Sequence, residues 1–542
     1  MKLVKSSFLI ATALIIASCG STPPILSTPI ENIDTTPLKE SKLSEMELKT
    51  WGHKDLVSDT IPGMSVDKAY AEIIKDRKGK KVIVAVLDSG IDIDHEDLDD
   101  VIWTNTKEIP NNGKDDDKNG YVDDIHGWNF LGDSYNENLE MTRIVKKGTS
   151  HPDYAAAKAE LDSEYQRFSN IKQRYDVIYQ RIKGSNDALK KYFKKDKYTL
   201  AELNAVNTND ETLQNHIAVA KQSYAMLGRD VESIDEVEEV IKDAVEGIAE
   251  RLNYNLNTNF NGRTPVGDNP YDITDTGYGN GNVKHVKKSE SHGTHVAGII
   301  AAERNNGKGV NGVANNVAIM AVRTVPNGDE YDKDVALAIR YAVDNGAKVI
   351  NTSFGKYFSQ NSQWVKDAIA YAGRNNVLIV NAAGNENTNL DKKEVFPNDQ
   401  TLTGAEISDT FLTVGAIQNK YGSQMVAGYS NYGKTNVDVF APGSAIYSTF
   451  PENDYKSIGG TSMAAPGVAG VAALILSHYP KLTAAQVKKI IMQSGLAINR
   501  NVVVNQDEDA VPFASASQSG KIVNAYNALI LADKVSRGQV KL

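Results

Sequence analysis

Gly459-Gly460-Thr461-Ser462-Met463-Ala464-Ala465-Pro466-Gly467-Val468-Ala469-Gly470 reads as a turn that runs into a helix of small residues. Two glycines permit the turn, and Ala472, Ala473, Leu474 and Leu476 carry the apolar pattern onward at helical spacing. Residues 455–458 read as a strand, so Ser462 falls in the first turn of a buried helix. Pro466 is expected in that first turn too, where no intrahelical N–H is lost. A serine at a helix N-terminus sits among unpaired N–H groups and the positive end of the macrodipole, which stabilise a developing oxyanion. The same residues also describe a plain Ser or Thr cap on a core helix. The rest of the chain decides between the two.

Working upstream, Val82-Ile83-Val84-Ala85-Val86-Leu87 is a β-branched run with few polar positions. Such a run suits a strand buried on both faces of a parallel sheet. It ends in Asp88-Ser89-Gly90, and the carboxyl end of a parallel strand is where open α/β sheets place their sites. Further strands are expected at residues 317–322, 349–355, 377–386, 411–416 and 437–443, with helices at 334–345, 367–375, 483–493 and 521–535. This alternation predicts an α/β fold with a parallel sheet flanked by helices. Ser291-His292-Gly293-Thr294-His295-Val296-Ala297-Gly298 opens another buried helix. His292 and His295 stand at metal-ligand spacing, but no third ligand accompanies them, so His295 reads as a hydrogen-bonded core histidine.

The 542 residues are 41% hydrophobic, ample for a large core, and the net charge of −10 with no basic block excludes nucleic acid as a partner. The single cysteine excludes an intrachain disulfide. It follows a basic start (Lys2, Lys5), an apolar run from Phe8 to Ile16, and Ala17-Ser18. This order is similar to the lipobox of bacterial lipoproteins, in which cleavage leaves Cys19 as the lipid-carrying first residue. The expected organisation is a signal peptide over 1–18, a flexible tether over 19–49 and a main domain over 50–535. The resulting localisation is the bacterial cell envelope, attached through the lipid.

Two segments stand apart from this pattern. Asp115, Asp117 and Asn119 alternate before Gly120, and Asp123 follows, as in the first part of a calcium loop built from oxygen ligands. The twelfth position is His126 rather than glutamate, so an EF-hand is excluded. Structural Ca²⁺ on Asp115, Asp117, Asn119 and Asp123 is the expectation. Between residues 153 and 256, Leu161, Phe168, Tyr175 and Ile182 recur every seventh position. Thr199/Glu202 and Ser233/Glu236 fit capping boxes. This segment predicts an inserted α-helical hairpin or bundle, whose first helix is roughly thirty residues long.

An acid after a strand, a histidine opening a helix and a serine opening a helix occur in the order Asp88, His292, Ser462. Together with Ala382-Ala383-Gly384-Asn385-Glu386, these segments resemble the signatures of the subtilisin-like serine proteases. The resemblance covers roughly 50–130 and 265–535 and implies a serine endopeptidase. It casts Ser462 as nucleophile, His292 as base, Asp88 as the group that orients His292, and Asn385 as an oxyanion donor. Ser353-Phe354-Gly355 resembles the family's edge segment that pairs with extended substrate backbone. These residues, with Ala383 and Gly384, are expected to wall the specificity pocket. Partners are therefore protein or peptide substrates in extended conformation. The chain departs from simple family members in that Asp88 and His292 lie 204 positions apart, a stretch that holds the insertion. That insertion is expected to act as a substrate gate or partner surface. Two other classes compete with hydrolysis: a non-hydrolytic adhesion or scaffold protein, and a transpeptidase in which an amine takes the acyl group.

Overall fold

A computed structural model describes residues 24–542 except 32, 228–232, 401, 403 and 506–508; Cys19 and the signal-peptide reading lie outside the described residues. Residues 24–49, expected as a tether, instead lie against the domain. Ile25 and Ile30 donate their backbone N–H groups to Asp533 and Asn527 near the C-terminus (3.2 and 2.7 Å), and Ile33 is buried. Isoleucines spaced through a Pro-rich segment have an apolar surface to cover, and composition alone hid this. Helix α1 (Glu45–Thr50) follows, capped by a Ser44/Glu47 box, then α2 (Leu56–Asp59) and α3 (Val66–Ala69).

The sheet begins with β1 (Val82–Asp88) and continues with β2 (Gly127–Asn129), β3 (Val317–Arg323), β4 (Val349–Thr352), β5 (Leu378–Ala382), β6 (Phe411–Ile417) and β7 (Val439–Pro442). The hairpin of β8 (Ile446–Phe450) and β9 (Asp454–Ile458) stands outside it. Near the C-terminus come β10 (Leu496–Ala497), β11 (Asn501–Val502), β12 (Val511–Pro512) and β13 (Lys521–Ile522). The nine-stranded order is β10-β13-β7-β6-β5-β4-β1-β3-β2, and every pairing except β10 with β13 is parallel. From β1 the chain first builds to one side (β2, β3) and then to the other (β4 onward). The strand order thus reverses at β1, and a crevice opens at its carboxyl end.

Both faces of the sheet are covered, which is why its strands are apolar throughout. Val84 and Val86 of β1 join a core with α9 (His292–Ala301) and α12 (Thr461–His478), while Ala85 and Leu87 join a core with α10 (Asp332–Asp344) and α11 (Ser362–Arg374). The alternation is the two-residue period of a strand. Helix α12 is long and apolar enough to cross a membrane, but 89% of it is buried inside the protein. Two further helices, α13 (Ala484–Ser494) and α14 (Ala525–Ser536), complete the α9/α12 side. Residues 521–522, expected in the last helix, belong to β13 instead.

The insertion follows α4 (Glu140–Lys147). It comprises α5 (Tyr154–Phe193), α6 (Leu200–Ala205), α7 (Glu211–Leu227) and α8 (Ile234–Glu250). Its first helix has 40 residues, longer than expected. Ile182, Leu189, Leu203, Ile217, Val237 and Ile241 form a core of its own. Thr199 and Glu202 make the full capping box, and Ser233 accepts from Glu236 N–H at 3.3 Å. At the root, Ile144 of α4 and Leu161 of α5 pack with Leu256 and Phe358. Phe358 lies three residues beyond Gly355, so the insertion is rooted beside the expected substrate edge.

Candidate active site

Asp88 sits at the carboxyl end of β1, 1% exposed, and His292 is the first residue of α9. The two side chains meet at 2.8 Å, with His292 Nδ1 donating to Asp88 Oδ1. The same oxygen accepts the Ser89 N–H at 2.7 Å, while Asp88 Oδ2 is buried without a partner among the described residues. Gly293 is needed where it stands, since a Cβ there would lie 2.9 Å from the carbonyls of Ser89 and Gly90. Burial presses the His292 pKa down, but the facing Asp88 carboxylate outweighs it and the net shift is upward. His295 is different. Its Nε2 lies 3.0 Å from the carbonyls of Ile446 and Lys456, and burial drives its pKa down to about 4. It is the core histidine expected from the sequence.

Ser462 is the second residue of α12, and its Oγ donates to the Ser353 carbonyl at 3.0 Å. The Ser353 hydroxyl returns a bond to the Ser462 carbonyl at 2.9 Å and accepts from Asn351 Nδ2. Pro466 explains this exchange. It lies inside α12 rather than in the first turn, a correction to the sequence reading. Its missing N–H would have served the carbonyl four residues back, which is that of Ser462. The Ser353 hydroxyl takes the vacant place, so a proline and a distant serine jointly hold the helix start. Motif reading gave no sign of this role for Ser353, because only the i−4 geometry of a mid-helix proline reveals the orphaned carbonyl.

Asn385 lies just beyond β5. Its Oδ1 accepts from the Thr461 N–H (2.8 Å) and the Thr461 hydroxyl (3.1 Å), which aims Nδ2 away from those donors and leaves it free of protein acceptors among the described residues. The Ser462 N–H is equally free. A methyl on Gly460 would stand 3.5 Å from Asn385 Nδ2 and 3.6 Å from Ser462 N, so the two donors flank one spot. Gly384 takes φ +102°, and a Cβ there would be 2.4 Å from Asn431 Nδ2, which itself donates to the Ala383 carbonyl at 2.8 Å. Thr461 Oγ1 accepts the Gly384 N–H at 3.0 Å. Thr461 therefore ties the Ala383–Asn385 segment to α12.

Beside Ser462, the chain of Ser353, Phe354 and Gly355 forms one lip of a groove. Lys356 pairs its backbone with Phe396 (2.9 and 2.8 Å), so by alternation Gly355 presents its N–H and C=O to the opposite, open side. Gly355 is exposed and its backbone groups have no partner among the described residues. This geometry suits β-addition of an extended chain.

In the acidic loop the structure brings Asp115 and Asp117 together, with the Asn119 N–H bonded to both, and turns the Asp123 carboxylate onto backbone N–H groups. Asp123 accepts the N–H groups of Asn112 and Gly113 (3.2 and 2.9 Å). Asn119 spends its Oδ1 on the Tyr121 N–H and its Nδ2 on Asp124. The third carboxylate is Glu108, whose oxygens and those of Asp115 and Asp117 lie within 4.8 Å of one another. Glu108 is 6% exposed and its Oε2 has no partner among the described residues. Glu108 lies outside the Asp-x-Asp-x-Asn pattern, and only the fold of the loop reveals it. Three hard oxygen donors with a buried orphan oxygen fit a divalent cation.

Fold and geometry together define an α/β protein with an acid–imidazole pair at the carboxyl end of β1 and a serine in the first turn of α12, its hydroxyl held by the Ser353 carbonyl. The chain belongs to the subtilase family, whose sequence profile matches residues 79–514. Subtilisin DY of Bacillus licheniformis is 39% identical over 198 residues, covering 36% of this chain and 67% of its own. Thermitase of Thermoactinomyces vulgaris is 35% identical over 245 residues, covering 45% of this chain and 76% of its own. Among solved structures, a protease of Pseudoalteromonas arctica matches 44% of this chain and 70% of its own at 32% identity, with a TM-score of 0.36. The protein is a subtilisin-like serine endopeptidase, a hydrolase acting on peptide or protein substrates.

Proposed function

We propose that this endopeptidase works through Ser462, His292, Asp88 and Asn385. The observation that carries the assignment is the 2.8 Å bond between His292 Nδ1 and buried Asp88, which fixes the tautomer that leaves Nε2 basic and free. Serine is a weak nucleophile until a base takes its proton as it attacks. When a substrate strand lies along the groove, its backbone N–H competes for the Ser353 carbonyl that now holds the Ser462 hydroxyl, and this releases the hydroxyl to His292. His292 takes the proton and returns it to the leaving amine, and Asp88 stabilises the imidazolium. The oxyanion forms between Asn385 Nδ2 and the Ser462 N–H. Donors of this kind contribute about 2.7–4 kcal/mol, a magnitude measured in a subtilisin. Phe354, Ala383 and Gly384 wall the pocket for the residue preceding the scissile bond. The experiment that tests the assignment is fluorophosphonate labelling: one equivalent on Ser462 is expected, and a purified, active enzyme that remains unlabelled would refute it.

A structural Ca²⁺ held by Glu108, Asp115 and Asp117 completes the proposal. The cation would neutralise carboxylates that otherwise repel one another and would cross-link the loop before β2. Binding to the folded state alone stabilises by about 2.7 kcal/mol at a free cation concentration 100 times Kd. Excess chelator is therefore expected to lower Tm by several degrees in the wild type and much less in Glu108→Gln. Equal melting with and without chelator would rule the site out.

Attachment to the bacterial envelope through a lipid on Cys19 rests on the basic start, the apolar run and the cysteine that ends it. Cys19→Ala is expected to move the protein from the detergent phase to the aqueous phase on phase partition. An unchanged partition would refute the anchor.

A further inference from the structure

The groove beside Ser462 ends abruptly. Its first lip is the Ser353–Gly355 segment and its second is residues 327–330, the two following β4 and β3 on either side of β1. On the second lip, the Asn327 backbone and the Asp329 N–H are engaged by residues 135–138. Asn327 pairs with Tyr135 and Glu137 (2.8 and 3.0 Å), and Asp329 N–H reaches Asn138 at 3.3 Å. Gly328 has no backbone partner among the described residues, but the Glu330 carbonyl is already taken. It accepts from Lys356 Nζ at 2.7 Å and from Arg143 Nη2 at 3.0 Å.

Lys356 ties the first lip to the second immediately beyond Gly355, and Arg143 clamps the second lip at the carbonyls of Asp329 and Glu330. Lys356 belongs to the first lip and also pairs with Asp332 (3.0 Å) and Glu140 (3.4 Å). Arg143 comes from α4, at the root of the insertion, and bonds Glu140 through Nε at 2.8 Å and the Asp329 carbonyl at 3.0 Å. All four side chains are at least 95% buried. The cavity remaining between Glu330, Asp332, Lys356 and Phe396 measures about 10 Å³, no more than one water requires. Breaking such a bridge would leave an uncompensated buried charge, so it does not give way to an arriving side chain.

The register of a bound chain follows from the geometry beside Ser462. The residue attacked by Ser462 must lie beside Ser353, because Ser462 Oγ is 3.0 Å from that carbonyl. In an antiparallel pair the residue two places earlier lies opposite Gly355. That is the third residue on the acyl side, and the fourth meets the bridge. We propose that acyl-side recognition in this enzyme stops at the third residue, with Lys356 of the first lip and Arg143 of α4 as the specificity-determining stop. This rests on the assignment of Ser462 as the nucleophile.

The test uses the wild-type enzyme and acetylated peptide p-nitroanilides of two to six residues with a constant C-terminal sequence. We expect kcat/KM to rise up to three residues and to change less than threefold from three to six. A rise of more than threefold on adding the fourth residue would overturn the proposal while leaving the site assignment intact. Absence of hydrolysis at every length, with Ser462 unlabelled by a fluorophosphonate, would overturn the assignment and this proposal with it.

Discussion

Ser462→Ala is expected to lower kcat for peptide hydrolysis by a factor on the order of 10⁶, the loss seen when the nucleophilic serine is removed from a subtilisin. The side chain is half-buried, and its hydroxyl makes one hydrogen bond among the described residues, to the Ser353 carbonyl. Nothing in the fold depends on that bond, because the reciprocal one, from the Ser353 hydroxyl to the Ser462 carbonyl, survives the substitution. Tm is therefore expected to stay within a degree or two of wild type. KM should hold or fall, since the substrate N–H no longer competes for the Ser353 carbonyl. Steady-state hydrolysis of a chromogenic peptide, paired with a thermal melt, reads both quantities. A folded variant that retains more than a thousandth of wild-type activity would sink the assignment.

Asp88→Asn should have the next largest effect, a loss on the order of 10⁴ in kcat, the loss seen when the triad aspartate of a Ser-His-Asp protease is changed to asparagine. In the wild type one oxygen of Asp88 serves both Ser89 N–H and His292 Nδ1, while the other is buried without a partner. An amide placed there must either bury an unsatisfied NH₂ or turn that NH₂ toward two donors. Both arrangements lose the charge that stabilises the imidazolium. The pH profile supplies a second readout. Asp88 is what holds the His292 pKa above its ordinary value against the opposing pull of burial. Since the base must be neutral, wild-type kcat/KM falls as pH drops through that raised value. Without the carboxylate, burial acts alone, the pKa falls, and the acid limb of the residual activity moves to lower pH. An acid limb that stays in place would show that another group titrates.

The elements nearest Ser462 and Asp88 were the most legible. β1 declared itself because a strand buried on both faces has no polar face to interrupt its apolar run, and α12 because small residues recur at helical spacing through a helix buried along nearly its whole length. Thr199 and Glu202 marked the start of α6 through a capping pattern that lies within four residues. The tether and the calcium loop were read less well. Ile25, Ile30 and Ile33 dock on side chains and surfaces some five hundred positions away, and Glu108 meets Asp115 and Asp117 only because the intervening chain doubles back.

From sequence alone came the α/β class and the helical character of the insertion, and the resemblance of short motifs to the subtilisin-like signatures nominated Asp88, His292, Ser462 and Asn385. Each is written in a local pattern: a period of two or 3.6 residues, or glycines and small residues packed around one polar side chain. Tertiary structure alone decided which oxygen or nitrogen of those side chains is engaged and which is free. It also assigned the Ser353 hydroxyl to the carbonyl orphaned by Pro466 and placed Arg143 and Lys356 across the end of the groove. These are contacts between elements far apart along the chain. Periodicity reports whether a residue is buried, but the twist of the sheet and the entry angle of each helix determine what it is buried against.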